Sequence, residues 1–168
     1  MARGWLAAAL LGLLTGCAGQ GGISDETRIV AIGDSILAWN GRNSVVDVVA
    51  RATGMGVANL AVSGAHFTHT WEDAIADGYD VRAQFRPGPW DWVIVNGGAN
   101  DLLSECGCSR CDANLDGMIS ADGRRGDYPA LIGRIVAGGS RVMLVGYYDG
   151  NARPNIFSGC AEVVDALN

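Results

Sequence analysis

From Arg28 onward, short apolar runs alternate with longer amphipathic stretches, and this alternation restricts the fold more than any other feature. Alternation of this kind is typical of repeated strand–helix units around a parallel sheet. The predicted strands are Arg28–Ile32, Gly56–Ala61, Asp91–Asn96 and Arg141–Val145. The chain has 168 residues, 49% of them hydrophobic, with neither a repeat nor an internal boundary. It therefore predicts a single α/β domain with a packed core.

Three helices are predicted between and after these strands. Ser44 caps one over Val45–Ala52, Pro129 lies in the first turn of a second, and a third runs from Cys160 to Leu167. The apolar stripes predicted for the first two are Val45, Val48, Val49 and Ala52, and Leu131, Ile132, Ile135 and Val136.

The charge of the chain excludes two classes of partner. A net charge of −6 and an isoelectric point near 4.7 leave no clustered positive charge for nucleic acid or for an anionic membrane surface. All 12 basic residues are arginine, which excludes a lysine nucleophile or Schiff base.

The first residues are typical of an export signal. Residues 1–16 contain Arg3 and then an apolar run from Trp5 to Leu14, which is too short to span a bilayer. The sequence Leu14-Thr15-Gly16-Cys17 resembles a bacterial lipobox, which implies cleavage before Cys17 and lipidation of its thiol.

The segments on either side of Cys17 follow from that interpretation. Residues 17–26 then form a flexible tether, and residues 27–168 form the domain. Ala18 resembles the outer-membrane sorting pattern, so we expect an exported protein that faces the periplasm and touches membrane only through its lipid. An ordinary signal peptide and a buried N-terminal helix are the alternatives.

Small and polar residues follow three of the predicted strands. Ligands bind beyond the carboxyl ends of strands in open parallel sheets, so we expect these residues to converge. They are Gly33-Asp34-Ser35, Asn59 to Gly64, and Gly97 to Asp101. A hydroxyl, close-approach glycines and a carboxamide together can perform acyl transfer.

These three blocks resemble those of the SGNH, or GDSL, hydrolases. The resemblance implies a three-layer α/β/α, flavodoxin-like fold and a serine esterase without metal or other cofactor. It makes Ser35 the nucleophile and places an oxyanion hole on the Ser35 amide, the Gly64 amide and the Asn100 side chain. The supporting residues are Gly33, Asp34, Asn59, Gly98 and Asp101. Each block alone has a simpler interpretation as a turn or a helix cap.

The block that supplies the catalytic base of this family is missing. That base is the histidine of an Asp-x-x-His block, whereas the two histidines of this chain, His66 and His69, follow Ser63 and His66 at the corresponding spacing. We interpret both histidines as rim imidazoles, with a relocated base as the alternative, and without a histidine partner Asp101, Asp149 and Asp165 complete no triad.

The fifth strand and final helix of the family fold are also expected to be missing. We therefore predict a fragment, or else a short relative, that hydrolyses esters poorly. A catalytically inactive protein that binds acylated glycans or lipids in the same pocket is the second hypothesis.

Four cysteines remain once Cys17 is set aside: Cys106, Cys108, Cys111 and Cys160. An exported protein favours disulfides, whose pairing the sequence leaves open, and a zinc site is the alternative.

Residues 112–117 match the first half of a calcium-binding loop, but Gly123 replaces the expected glutamate. We favour an amphipathic helix there over a calcium-dependent surface module.

The substrate class stays open between lipids, thioesters, acetylated sugars and aryl esters. Four aromatic residues are candidates either for an acyl or sugar site or for the core: Trp71, Phe85, Trp90 and Trp92.

Overall fold

A computed structural model describes residues 22–68, 78–148 and 154–168. The predicted signal peptide and Cys17, most of the predicted tether, and His69, Trp71 and Asp149 lie outside the described residues. No helix within the described ranges is long and apolar enough to cross a membrane.

Four parallel strands form the sheet among these residues, in the order β2-β1-β3-β4. Their bounds are β1 Thr27–Ile32, β2 Gly56–Asn59, β3 Trp92–Val95 and β4 Arg141–Leu144. Each lies within one or two residues of its predicted position. The order places β1 beside both β2 and β3, as in a flavodoxin-like fold, so the predicted fold class is confirmed.

Seven α-helices connect or follow these strands in the described residues. They are α1 Ser35–Ala38, α2 Val45–Thr53, α3 Val81–Gln84, α4 Ala99–Cys106, α5 Asp112–Met118, α6 Asp127–Ala137 and α7 Ala161–Leu167. A 3₁₀ turn, Gly41–Asn43, precedes α2.

The helices cover both faces of the sheet. Val30 and Ile32 of β1 point into the larger core, which α3 to α7 cover, while Ile29 and Ala31 point into a smaller core beneath α1 and α2. This alternation follows from the two-residue period of a strand and gives the predicted three-layer arrangement.

The first predicted helix forms, but the prediction of which of its faces is buried was wrong. Ser44 caps α2 in a capping box with Asp47, and Gly54 ends the helix in the left-handed conformation. The buried position is Val46, whereas Val45 and Val48 are about half exposed at 46% and 52%. With four valines in five positions, two faces are apolar, and contact with the sheet decides which is buried.

The second predicted helix is α6, and its stripe is confirmed in part. Leu131 and Ile135 are buried, whereas Val136 is exposed. Pro129 lies in the first turn, where its missing N–H leaves no helical hydrogen bond unmade. The third predicted helix is α7, whose Val163, Val164 and Leu167 pack against the larger core.

The cysteines form two disulfides, Cys106–Cys111 and Cys108–Cys160. The second bridge joins the turn that follows α4 to the residue directly before α7. Disulfides are thus confirmed over zinc for these four residues, and within the described ranges no cluster of three or more metal-binding side chains occurs.

The segment that resembles a calcium loop is helical, as expected. Residues 112–118 form α5, with Met118 buried in the core. Phe85 and Trp90 are also core residues, and Trp92 is partly buried under the guanidinium of Arg141.

Candidate active site

Three loops at the carboxyl ends of β1, β2 and β3 meet at one edge of the sheet. Two hydrogen bonds prolong the pairing of β1 with β2 beyond the strands, from Leu60 N to Ala31 O and from Val62 N to Gly33 O, at 2.8 and 3.0 Å. On the other side, Asn96 N donates to Ile32 O at 3.2 Å. The geometry therefore brings the predicted Ser35, Gly64 and Asn100 segments together.

Gly33 makes the turn out of β1 possible. Its φ of +149° is strained for any residue with a side chain, and a Cβ there would lie 2.5 Å from the carbonyl oxygen of Asn96. The buried side chain of Gln84 holds this turn, accepting from Gly33 N at 2.6 Å and donating to Gly33 O at 3.1 Å. The Gln84 amide group thus pairs with the N–H and C=O of Gly33 as the backbone of a neighbouring strand would. Gln84 was not among the site residues predicted from the sequence.

Ser35 is the first residue of α1 and is partly exposed. Asp34 caps this helix by accepting from Ile36 N at 3.0 Å. Within residues 22–68, 78–148 and 154–168, the Ser35 hydroxyl makes no hydrogen bond to a histidine or a carboxylate, and the Ser35 and Gly64 amides donate no hydrogen bond. The described residues therefore leave these two amide donors without a hydrogen-bond acceptor.

Asp34 is buried, with 1% of its surface exposed. Burial raises its pKa, while the Tyr147 hydroxyl and the Ile36 amide, which donate to it, act in the opposite direction. The raised pKa reflects the cost of holding a negative charge beneath the site.

Gly64 takes the left-handed conformation at φ +85°, in the loop that follows β2. Asn59 shapes this loop by donating to Leu37 O at 2.8 Å and accepting from Ala61 N at 3.1 Å. A Cβ at Gly64 would lie 3.4 Å from the ring of Tyr79. The supporting role predicted for Asn59 is thus a tie between the β2 loop and α1.

Asn100 lies in the first turn of α4 and points toward the Gly64 loop. Its Nδ2 donates to Ala65 O at 2.9 Å, which leaves the second amide hydrogen for a ligand. Gly98, at φ +104°, precedes the helix, and a Cβ there would meet the side chains of Met118 and Leu167.

Asp101 is fully buried and binds the chain beyond Gly64. Its carboxylate accepts from the amides of Phe67 and Thr68 and from the Thr68 hydroxyl at 2.6 to 3.0 Å. Its role is to shape this loop.

His66 lies in the same loop, where its Nε2 is 3.1 Å from the Ser104 hydroxyl, which in turn donates to Asn100 O. His66 therefore contacts α4 through Ser104.

The chain is similar in sequence to one family of known proteins. The sequence profile of the GDSL-like lipase/acylhydrolase family matches residues 31–168. No curated protein matches the chain. Among solved structures, a G-D-S-L-family protein from Desulfitobacterium hafniense DCB-2 is 18% identical, with a TM-score of 0.47, over 83% of this chain and 70% of the other.

Proposed function

The chain belongs to the GDSL-like lipase/acylhydrolase family, and on that premise we propose that it attacks ester carbonyls with Ser35 and holds the oxyanion with Gly64 and Asn100. One observation carries the proposal. Among the described residues, the Ser35 amide, the Gly64 amide and one Asn100 amide hydrogen have no hydrogen-bond acceptor, and all three lie at the sheet edge that carries Ser35. Convergent donors around a hydroxyl are the requirement for acyl transfer.

The reaction has two steps. Ser35 Oγ bonds to the carbonyl carbon while its proton leaves, and the tetrahedral oxyanion collapses as the C–O bond to the alcohol breaks. The alcohol takes up a proton and departs. Water then attacks the acyl-serine, which releases the carboxylic acid and restores Ser35.

Proton removal is the slow part of this reaction. Among the described residues no histidine forms a hydrogen bond with Ser35, and in that arrangement the hydroxyl proton would pass to a water molecule. Loss of a paired base costs several orders of magnitude in turnover, while the oxyanion donors retain part of the acceleration. We therefore expect slow, Ser35-dependent acylation.

A phosphonate ester that carries a p-nitrophenyl leaving group tests this chemistry directly. Ser35 Oγ would displace p-nitrophenolate and keep the phosphonyl group, which peptide mass spectrometry locates. We expect modification at Ser35 and none in Ser35→Ala. Ser63→Ala is the matched control, because Ser63 is an exposed serine in the turn beside Gly64.

The oxyanion hole has its own test. Asn100→Ala is expected to lower the rate of Ser35 modification by about 100- to 1000-fold, the usual cost of one oxyanion donor. Equal modification of Ser35→Ala and the parent chain would refute the nucleophile, and an unchanged rate in Asn100→Ala would refute the hole.

A binding function is the second candidate, favoured by the lack of a base at Ser35 among the described residues. In that case an acylated glycan or lipid would bind equally well to the parent chain and to Ser35→Ala, with no covalent adduct. Equilibrium dialysis with an acetylated oligosaccharide separates this function from the first.

We further propose that the chain is exported and anchored through a lipid on Cys17. The lipobox-like residues before Cys17 support this proposal, as do the two disulfides, which are typical of an oxidising compartment. Globomycin should block processing of the precursor. Ala18→Asp, which leaves Cys17 intact, should keep processing but shift the protein from the outer- to the inner-membrane fraction.

A further inference from the structure

One phenol oxygen connects the two loops that carry the candidate nucleophile and the candidate oxyanion donor. The Tyr147 hydroxyl donates to Asp34 Oδ2 and accepts from Ala99 N at 3.0 Å. Asp34 directly precedes Ser35, and Ala99 directly precedes Asn100. The Tyr147 phenol therefore binds the residue directly before the candidate nucleophile and the residue directly before the candidate oxyanion donor.

The backbone of Tyr147 is fixed from two sides. Asn168 accepts from Tyr147 N at 2.8 Å and donates to Tyr147 O at 3.0 Å. Two residues earlier, Val145 N donates to Val95 O and Val145 O accepts from Asn96 Nδ2, both at 2.9 Å. The phenol is thus held by β3 and by the residue that ends α7.

The two bonds of the hydroxyl have fixed directions. The amide of Ala99 can only donate a hydrogen bond, so the phenol oxygen accepts from it and the phenol hydrogen is donated to Asp34. Burial raises the pKa of Tyr147, with the nearby Asp34 charge acting in the same direction, and the phenol therefore stays protonated. Loss of the hydroxyl would break the connection at both ends.

We propose that Tyr147 is a positioning residue that sets the separation of Ser35 and Asn100 by joining the segment before α1 to the first amide of α4. The inference rests on the proposed function, since it concerns the same nucleophile and oxyanion donor. A ring that merely filled space would need neither hydrogen bond.

Tyr147→Phe tests the proposal, because it removes the hydroxyl and keeps the ring. Tyr148→Phe is the matched control, since its neighbouring phenol is 63% exposed. The first readout is the rate of Ser35 modification by the phosphonate over a range of reagent concentrations. We expect Tyr147→Phe to lower the limiting rate about tenfold without changing the half-saturating concentration, and Tyr148→Phe to change neither.

The second readout does not depend on reactivity. Carbon-13 NMR of the Asp34 carboxyl should show a higher pKa in Tyr147→Phe than in the parent, because the phenol is the largest of the influences that lower it. The other groups that act on the Asp34 pKa, namely the Ile36 amide, Asp101 and His66, are retained in both proteins. Tyr128, on which the Asp34 charge acts, is also unchanged.

The outcomes separate the two proposals. If the parent chain never modifies Ser35, the proposed function fails, and an unchanged Asp34 pKa in Tyr147→Phe would then overturn the tie as well. If Ser35 reacts equally fast in the parent and in Tyr147→Phe, the positioning role is overturned and the function stands. If Tyr147→Phe does not fold, Asn168→Ala replaces it, and an unchanged modification rate there overturns the proposal.

Discussion

Removal of the Cys108–Cys160 disulfide should destabilise the chain far more than removal of the Cys106–Cys111 disulfide. The bridged residues are 52 positions apart in the first case and 5 in the second. A disulfide restricts the unfolded chain by a constant amount plus a contribution that grows with the logarithm of the loop length. The expected losses are therefore about 4 and about 2 kcal/mol in the free energy of unfolding.

The two bridges form a matched pair for this comparison. Each joins one cysteine that is 2% exposed, Cys111 or Cys160, to one that is partly exposed. Replacement of both members by alanine therefore removes similar packing in either case, and most of it cancels in the difference of about 2 kcal/mol.

Urea unfolding of the two double-alanine variants, followed by circular dichroism without reductant, measures both losses against the parent chain. Losses that agree within about 0.5 kcal/mol, or a larger loss for the short loop, would refute the loop-entropy reasoning.

Four further substitutions have expected outcomes that urea unfolding can check. Gly33→Ala should cost about 3 kcal/mol, because its Cβ would meet the Asn96 carbonyl at a strained φ, whereas Gly54→Ala, left-handed but with open space around it, should cost about 1 kcal/mol; equal losses would contradict the steric argument. Burial raises the pKa of Asp34, so its contribution to stability is fullest below about pH 4 and declines as pH rises through the folded pKa. Asp34→Asn should therefore flatten the dependence of unfolding free energy on pH, and an unchanged slope would count against the raised pKa. Ser44→Ala should cost about 1 kcal/mol through loss of the α2 cap, and no loss would show that the cap is redundant.

The sheet could be predicted from sequence because its signal is local. Runs such as Trp92–Val95 are apolar on both faces, as a strand covered by helices on both sides must be. The caps of α2 could be predicted for the same reason, since Ser44 and Gly54 act within one turn of the helix that they bound.

The buried side of α2 could not be predicted in this way. Val45, Val46, Val48 and Val49 are all apolar, and only the packed sheet selects Val46. The disulfide pairing was equally beyond the sequence, because four thiols allow three pairings and the choice depends on where α7 returns to α4.

The parts of the site that sequence reasoning missed act at long range. Gln84 reaches Gly33 across 51 positions and Tyr147 reaches Asp34 across 113. Neither residue lies in a motif or a periodic pattern, so no local signal separates it from other polar residues. The motif residues Ser35, Gly64 and Asn100 could be named from sequence, whereas the side chains that hold their loops required the fold.

We expect the outer edge of β4 to promote self-association of the protein at high concentration. Met143 and Leu144 point to opposite faces there and are 47% and 53% exposed, and within the described ranges no strand pairs beyond them. A free strand edge with apolar side chains on both faces is a template on which another extended chain can add. Light scattering of concentrated samples should therefore show self-association that a charged substitution such as Met143→Glu suppresses.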